Sequence, residues 1–464
     1  MAGIGFRIEH ILKDDSYTST VKAHYYSTLI SAGPWLLSVL TLFLLTMLAP
    51  ARLGGSGIVF FRAGIIYIYA FSLVVVGAFY LSLSRYMADR IYIGDDRSLI
   101  PIYNSALLIV VVFQFCTGWL LVMSLGTAFM IKLLMVMIYV VVSGIWLAMI
   151  FLTALRDYKS ISTAYIRGGV LTVILSVLLG RFFGLAGYFL GYLAGHMFIF
   201  ISLSFRIMIE FDTQSLIEWG FWEYMLKNPA LVMIGVIYNA AVWVDKFIMW
   251  HAEGSFAVAG VMKIHPFYDS TVFLAYLTMV PALSLFLIRV ETDFYRKYSA
   301  YYHMVLNRGT FRDIAEAKGE MSRSLKNSIN ILIVYQGMFS LLMIILAEKL
   351  IPLVRMSITQ VPLFRITVLG AFLHSLIFSG IIIMLYFDFR KPVLAVSLIF
   401  LVFNALFTKL SANAGFQYLG YGYFGAALIT LLSLYILFNR NYRNLEYYTF
   451  ALQPAAMHRK EEIV

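Results

Sequence analysis

Continuous apolar runs of roughly twenty residues, separated by short polar stretches, recur along the whole chain. A helix rises about 1.5 Å per residue, so such a run crosses the hydrocarbon core of a bilayer. The runs do not alternate with period two, which argues against a β-barrel. The pattern predicts an all-α polytopic membrane protein with twelve spans, at 25–49, 63–84, 105–125, 131–154, 163–181, 186–208, 229–250, 271–289, 328–347, 363–387, 393–411 and 417–438. Spans three and four, and spans five and six, are joined by turns short enough to make antiparallel hairpins.

The polar segment 209–228 divides the spans into six (25–208) and six (229–438), the count expected of two six-helix bundles. The linear sequence offers no convincing repeat between them, so this organisation rests on the count. Residues 1–24 place Ile4, Ile8, Ile11 and Leu12 on one helical face and include Glu9, Asp14 and Asp15. With no small-residue cleavage site, they predict an amphipathic helix at the membrane interface rather than a signal peptide. Residues 290–327 form the longest loop, basic and with 3.6-residue periodicity, and predict one or two surface helices. Arg296, Lys297, Arg308 and Arg312 in this loop are candidates for docking a protein partner or anionic head groups; a solvated loop obeying charge bias explains them equally well. The tail 439–464 is polar. Gly187, Gly191 and Gly195 bare one face of span six for close helix packing. Gly33-Pro34 and Pro281 predict breaks in spans one and eight.

Composition sharpens the class. Of 464 residues, 61% are hydrophobic and 13% charged, against about 25% charged in soluble domains, and the mean hydropathy is +0.85. The net charge of +11 would suggest nucleic acid in a soluble protein. Here it follows topology. With the N-terminus in the cytoplasm, 24 of the Lys and Arg residues fall on the cytoplasmic side and 9 opposite, so both termini are expected inside. The single cysteine, Cys116, rules out intrachain disulfides and cysteine metal clusters. No metal, cofactor or nucleic acid is expected.

The rival class is a membrane glycosyltransferase. The sequence has no glycine-rich phosphate cradle, His-Glu metal pair or nucleophile elbow, and no soluble domain for a nucleotide sugar. An enzyme is therefore not expected. Charges inside spans need a function or an escape, since each costs about 2.5–3.5 kcal/mol at mid-bilayer even on the lenient insertion scale. Arg167, near the end of span five, can snorkel. His374 is a histidine in mid-span, either a hydrogen-bonded core residue or a proton relay. Asp245 and Lys246, in "AVWVDKFIMW", lie roughly 7 Å below the outer surface of span seven. The short Asp245 side chain cannot reach water. Asn239, Trp243, Lys246 and Trp250 share one helical face, with Tyr238 and Asp245 on the next. This stripe should face a bundle interior or a wet cavity, and an interhelical ion pair competes with a substrate contact. The 31 tyrosines suit sugar binding, although interfacial belts and bulk core account for most of them.

Several strings carry a resemblance: "MAGIGF" at the start, "YSTLISAGPWLLS" at 26–38, "ALRDYKSI" at 154–161, "WVDKFIMW" at 243–250, "FYDSTVFLAYLTMVPALSLFLIRVETDFYRKY" at 267–298, "LYFDFRKP" at 385–392 and "GYGYFGAAL" at 420–428. In this order, and over nearly the whole chain, they resemble the PelG family, polytopic inner-membrane subunits of Pel exopolysaccharide export. The resemblance implies a V-shaped, twelve-helix transporter of the multidrug/oligosaccharidyl-lipid/polysaccharide (MOP) flippase superfamily. It implies an N-acetylgalactosamine-rich amino-sugar polymer as cargo. It also implies a PelF-like cytosolic glycosyltransferase and PelD-like and PelE-like membrane subunits as partners, besides membrane lipids. The substrate path is then expected along the span-seven stripe and near Tyr268, Asp269 and Glu291, which lie in the family-like strings, with Arg167 and His374 as further candidates. A cation-coupled small-molecule antiporter on the same fold, and a scaffold that recruits the glycosyltransferase through 290–327, are the alternatives.

Overall fold

A computed structural model describes residues 27–28, 32–154, 157–211, 213 and 215–450. The expected N-terminal helix (1–24) and the last part of the tail (451–464) lie outside these residues. The helices are α1 (Gly33–Leu48), α2 (Pro50–Tyr92), α3 (Leu99–Met123), α4 (Phe129–Ala154), α5 (Tyr158–Glu210), α6 (Gly220–Lys227) and α7 (Pro229–Met249). They continue as α8 (Pro266–Leu277), α9 (Val280–Ile288), α10 (Tyr295–Leu306), α11 (Phe311–Leu353), α12 (Val361–Tyr386), α13 (Arg390–Ala414), α14 (Tyr421–Arg443) and α15 (Leu445–Phe450). Among the described residues, ten helices are long and apolar enough to cross a membrane, and Gly33–Leu48 is a shorter apolar one. One of the ten, α5, contains a reversal, so the chain supplies the twelve spans that the sequence predicts.

The reversal in α5 is at Gly184 (φ 56°, ψ −133°), a left-handed conformation that glycine tolerates best. Its returning arm presses against the first. A methyl group at Gly187 would land on the Leu179 carbonyl, at Gly191 on the Ser176 backbone, and at Gly195 on Thr172. The bare face thus lets two backbones touch. The second half repeats the device: Gly422 of α14 lies against the backbone of Phe407 and Thr408 in α13. Gly-Tyr-Phe occurs at both places, 187–189 and 422–424. Tyr188 meets Phe61 of α2 at 6.0 Å, and Tyr423 meets Tyr276 of α8 at 5.8 Å. A three-residue identity is too short to announce itself in the linear sequence; the packing makes it visible.

Span eight is a broken helix. α8 ends at Leu277, and α9 restarts with Pro281 in its first turn, where a missing amide costs least. The break frees carbonyls that lipid cannot satisfy. Gln336 of α11, fully buried, donates from Nε2 to the Thr278 oxygen at 2.7 Å. The helix then continues through a π-helical turn, Arg289–Phe294, into α10.

The segment 290–327, expected as a loop with one or two surface helices, has its helices continuous with the flanking spans. α10 and the first turns of α11 extend spans eight and nine as a helical hairpin, turning at 307–310. A capping box starts α11: the Thr310 hydroxyl accepts from the Asp313 amide, and Asp313 accepts from the Thr310 amide. Lys297 bonds Glu320 across the hairpin at 2.6 Å, and Lys318 bonds Glu446 of α15 at 2.5 Å. Residues 439–450, expected as polar tail, are therefore helical and packed, with Leu445 buried. A second departure is a β-hairpin between α7 and α8, β1 (Phe256–Ala259) and β2 (Met262–Ile264), where the sequence predicts no strand.

Apart from this hairpin, the buried apolar residues cluster almost wholly within one half or the other. The two halves meet along α2 and α7, which run antiparallel. At the centre they touch backbone to backbone: a Cβ on Gly77 would lie 2.6 Å from the Gly235 oxygen, and one on Gly235 would strike the Gly77 oxygen. Toward the β-hairpin, Phe71 stacks on Phe247 (5.3 Å, 13°) and Tyr67 on Trp250 (4.3 Å, 13°). Tyr67 donates to the Lys263 carbonyl (2.8 Å) and accepts from its amide (3.0 Å). Gly260, at φ 51°, lies against the Ser124 carbonyl of the first half, where a Cβ would have no room. At the opposite, basic end, Arg90 and Tyr86 both reach Glu218 of the linker, at 3.1 and 2.9 Å. Both charges of that pair are partly exposed, so Glu218→Gln should lower stability by about 1 kcal/mol or less. Thermal unfolding of the purified protein checks this.

Candidate functional site

α7 begins with Pro229 at the basic end and carries the Asp245-Lys246 pair near its other end. Asp245 is fully buried and Lys246 nearly so. Neighbours on a helix diverge by about 100°, yet the long lysine chain curls back. Its Nζ donates to Asp245 Oδ1 (3.0 Å), Tyr276 Oη (2.8 Å) and the Val242 carbonyl (2.9 Å). An ammonium has three donors, and all three are used. Asp245 Oδ2 accepts from the Tyr268 hydroxyl at 2.9 Å. The ammonium also lies 4.3 Å from the Tyr276 ring centre, a cation–π contact in a dry setting.

His374 of α12 extends the cluster. One ring nitrogen lies 2.9 Å from the Tyr238 hydroxyl and the other 2.9 Å from the Tyr423 hydroxyl. Helices α7, α8, α12 and α14 thus share a polar knot of one acid, one base, one histidine and four tyrosines, whose charged pair sums to zero. It lies inside the second half. Its ammonium and carboxylate find partners within the half, the condition for keeping charges away from water.

The sequence-nominated residues separate into groups. Asp245, Lys246, Tyr268 and His374 come together in the knot. Asp269 lies one helical position beyond Tyr268 and accepts from Trp250 Nε1 (3.0 Å) and the His265 amide (3.1 Å). Trp250, stacked on Tyr67, carries that contact to the boundary between the halves. Asn239 lies beside Gly77 of the first half and donates to the Gly235 carbonyl at 2.8 Å. Trp243 stacks near Phe247 at 6.3 Å. The predicted stripe is therefore divided: Asn239 and Trp250 meet the first half, while Asp245 and Lys246 turn into their own. Arg167 is exposed on α5 and does not join the knot. Glu291 lies in the π-helical turn, and its side chain is outside the described residues. Of the docking candidates, Arg308 and Arg312 are exposed, as is Arg296, and Lys297 is held by Glu320.

Tyr276 and Tyr423 are the partners that sequence reasoning missed. Each comes from a span whose other residues gave no reason to single it out. The "GYGYFGAAL" string contains Tyr423 but does not mark it as a partner of His374.

The fold, twelve spans in two bundles, is similar to that of solved transporters of the MOP superfamily. The chain is similar to the crystal structure of a MATE protein in the straight conformation (TM-score 0.64, 12% identity, 92% of this chain and 96% of that one). It is also similar to the outward-facing conformation of a multidrug resistance MATE family transporter (TM-score 0.64, 12% identity, 90% and 96%). A MOP superfamily transporter from Pyrococcus furiosus, described by the reverse polarity of its binding pocket, gives a TM-score of 0.63 at 12% identity over 90% and 96%. At such identities the likeness concerns the fold alone. The chain belongs to the PelG family, exopolysaccharide exporters (EPS-E), whose family model it matches over residues 1–450. No curated protein sequence matches it. It is thus a multi-pass membrane protein of a transporter family and fold rather than of an enzyme family.

Proposed function

We propose that this chain carries a Pel-type exopolysaccharide, an N-acetylgalactosamine-rich amino-sugar polymer, from the cytoplasm across the bacterial inner membrane, with both termini cytoplasmic. The family match over residues 1–450, on a transporter fold, is the observation that carries this reading. The bodies that move are 25–208 and 229–438, joined by 209–228. The path runs between them, past Asn239 and Trp243, with Asp269 at its far end and Glu291 toward the basic end. Asp245, Lys246, Tyr268 and His374 act one layer back, locking the helices of the second half in place. Arg167 serves as a lipid-facing anchor.

The helical hairpin supports a partnership with a PelF-like glycosyltransferase. α11 has 43 residues, about 65 Å at 1.5 Å per residue, roughly twice the hydrocarbon core. Its projecting end presents Arg308, Phe311 and Arg312, all exposed. Scaffolding of the enzyme and conduction of its product are then two tasks of one subunit, beside PelD-like and PelE-like proteins. A Na⁺-coupled antiporter fits less well. The span-seven carboxylate already has Lys246 and Tyr268 as partners, and among the described residues no group of three His, Cys, Asp or Glu side chains could hold a metal ion.

In a bacterium that makes such a polymer, deleting this chain should abolish extracellular N-acetylhexosamine polymer, and re-expression should restore it. Undiminished secretion after deletion would exclude the reading.

A further inference from the structure

Between the halves, under the turn of the β-hairpin, lies a cavity of about 270 Å³. The first half contributes Tyr67, Phe71 and Tyr139 to its wall, and the second contributes Phe247, Trp250 and His251. Val261 and Met262 of the hairpin complete the lining. We propose that this cavity is a subsite for one neutral, N-acetylated sugar residue of the exported polymer. The proposal rests on the reading of the protein as a polysaccharide transporter and gives that path a specific station.

Four observations lead there. Drug-sized ligands occupy roughly 300–1,000 Å³, so a cavity of about 270 Å³ suits a single ring rather than an oligomer. Two aromatic pairs that cross the boundary beside the cavity are nearly parallel, at 13° each. Each pair therefore presents flat ring faces to its opposite half. Any separation of the halves bares those faces, and the C–H face of a pyranose can take the place of the lost partner. Among the described residues, the wall has no Asp, Glu, Lys or Arg. A deacetylated, cationic amino sugar or an acidic sugar would find no counter-charge, and burying it unpaired is costly. An N-acetyl group brings a methyl for the aliphatic wall and no charge.

The same lining suits passage. A conducted species must bind well enough to enter and weakly enough to leave. Stacking without a charged anchor meets both conditions. A lipid chain is the competing occupant, but Val122, Met135, Val136, Tyr139, Trp250 and Met262 around the cavity are all buried in the protein. Most of the wall is therefore protein interior, with the mouth beside the exposed His251 and Val261.

The test is calorimetric titration of the full-length purified protein with three probes: an N-acetylhexosamine tetramer, the same tetramer de-N-acetylated, and palmitate. The N-acetylated tetramer should bind, at least tenfold tighter than its deacetylated form. Phe71→Leu and Phe247→Leu, which keep apolar volume but remove the flat face, should each weaken it tenfold or more. Circular dichroism and thermal unfolding of the two variants establish that they are folded, and if one is not, the other decides. Binding of the tetramer that both folded variants retain would overturn the subsite, as would no binding to the wild type or palmitate binding in its place. The deletion experiment above is independent of these outcomes, so the subsite can fall while the transport reading stands.

Discussion

Lys246→Met should destabilise the protein by about 3–5 kcal/mol, the cost of leaving one member of a buried ion pair without its partner. Asp245 would keep only the Tyr268 hydroxyl, in a place with no access to water. Asp245→Asn should cost a comparable amount, because the ammonium would then be the unpaired charge. The double variant Asp245→Asn/Lys246→Met should regain most of the loss, since neutral groups of similar shape incur no such penalty. Tyr268→Phe gives the scale for comparison. It removes one hydrogen bond, and such bonds between membrane helices average about 0.6 kcal/mol. Thermal unfolding in detergent, read together with polymer secretion, separates two roles for the pair. If the double variant recovers both stability and secretion, the pair is a lock. If it recovers stability and secretes nothing, the charges act on the polymer itself. Single variants with unchanged unfolding midpoints would show that the pair is not buried as described.

Gly235→Val should separate the halves. The added atoms would strike the Gly77 carbonyl, which belongs to helix backbone and cannot swing aside as a side chain could. Overpacking costs about 1–3 kcal/mol where neighbours can shift, and the upper part of that range applies here. Secretion should fall at least tenfold, because Asn239, Phe247 and Trp250 follow on from the same helix and would be carried away from their partners in α2. Gly235→Ala should be milder in both measurements. A valine variant with normal stability and normal secretion would mean that α2 and α7 do not cross at this point.

The spans were legible because each buries or exposes to lipid a run of about twenty apolar residues, a signal that survives local irregularity. Helix ends beyond the membrane were not, since nothing in a hydropathy pattern marks where a polar helix stops. The capping sequence Thr310-Phe311-Arg312-Asp313 was the available sign that α11 starts early. The β-hairpin has strands of four and three residues, shorter than periodicity can resolve; Gly260, between Ala259 and Val261, was its one punctuation mark. At the site, Asp245 and Lys246 stood out as charges in apolar surroundings. A helical wheel fixes the direction in which a side chain leaves the backbone, and for aspartate that direction is nearly the whole answer. For lysine it is not, because four methylenes let the ammonium end far from where the wheel points. The tyrosines that receive it were hidden by number: with 31 in the chain, none is conspicuous until the fold brings the rings of Tyr276 and Tyr423 to 5.8 Å from each other.

α11 runs without interruption from the exposed turn at 307–310 to Leu353. Partway along it, Gln336 grips the loose carbonyl where span eight is broken. A helix of that length is a stiff rod with an exposed tip, braced by α10 and α15, and an attachment at the weak joint of its neighbour. It has the form of a lever, and anything seated on its outer tip holds the long arm.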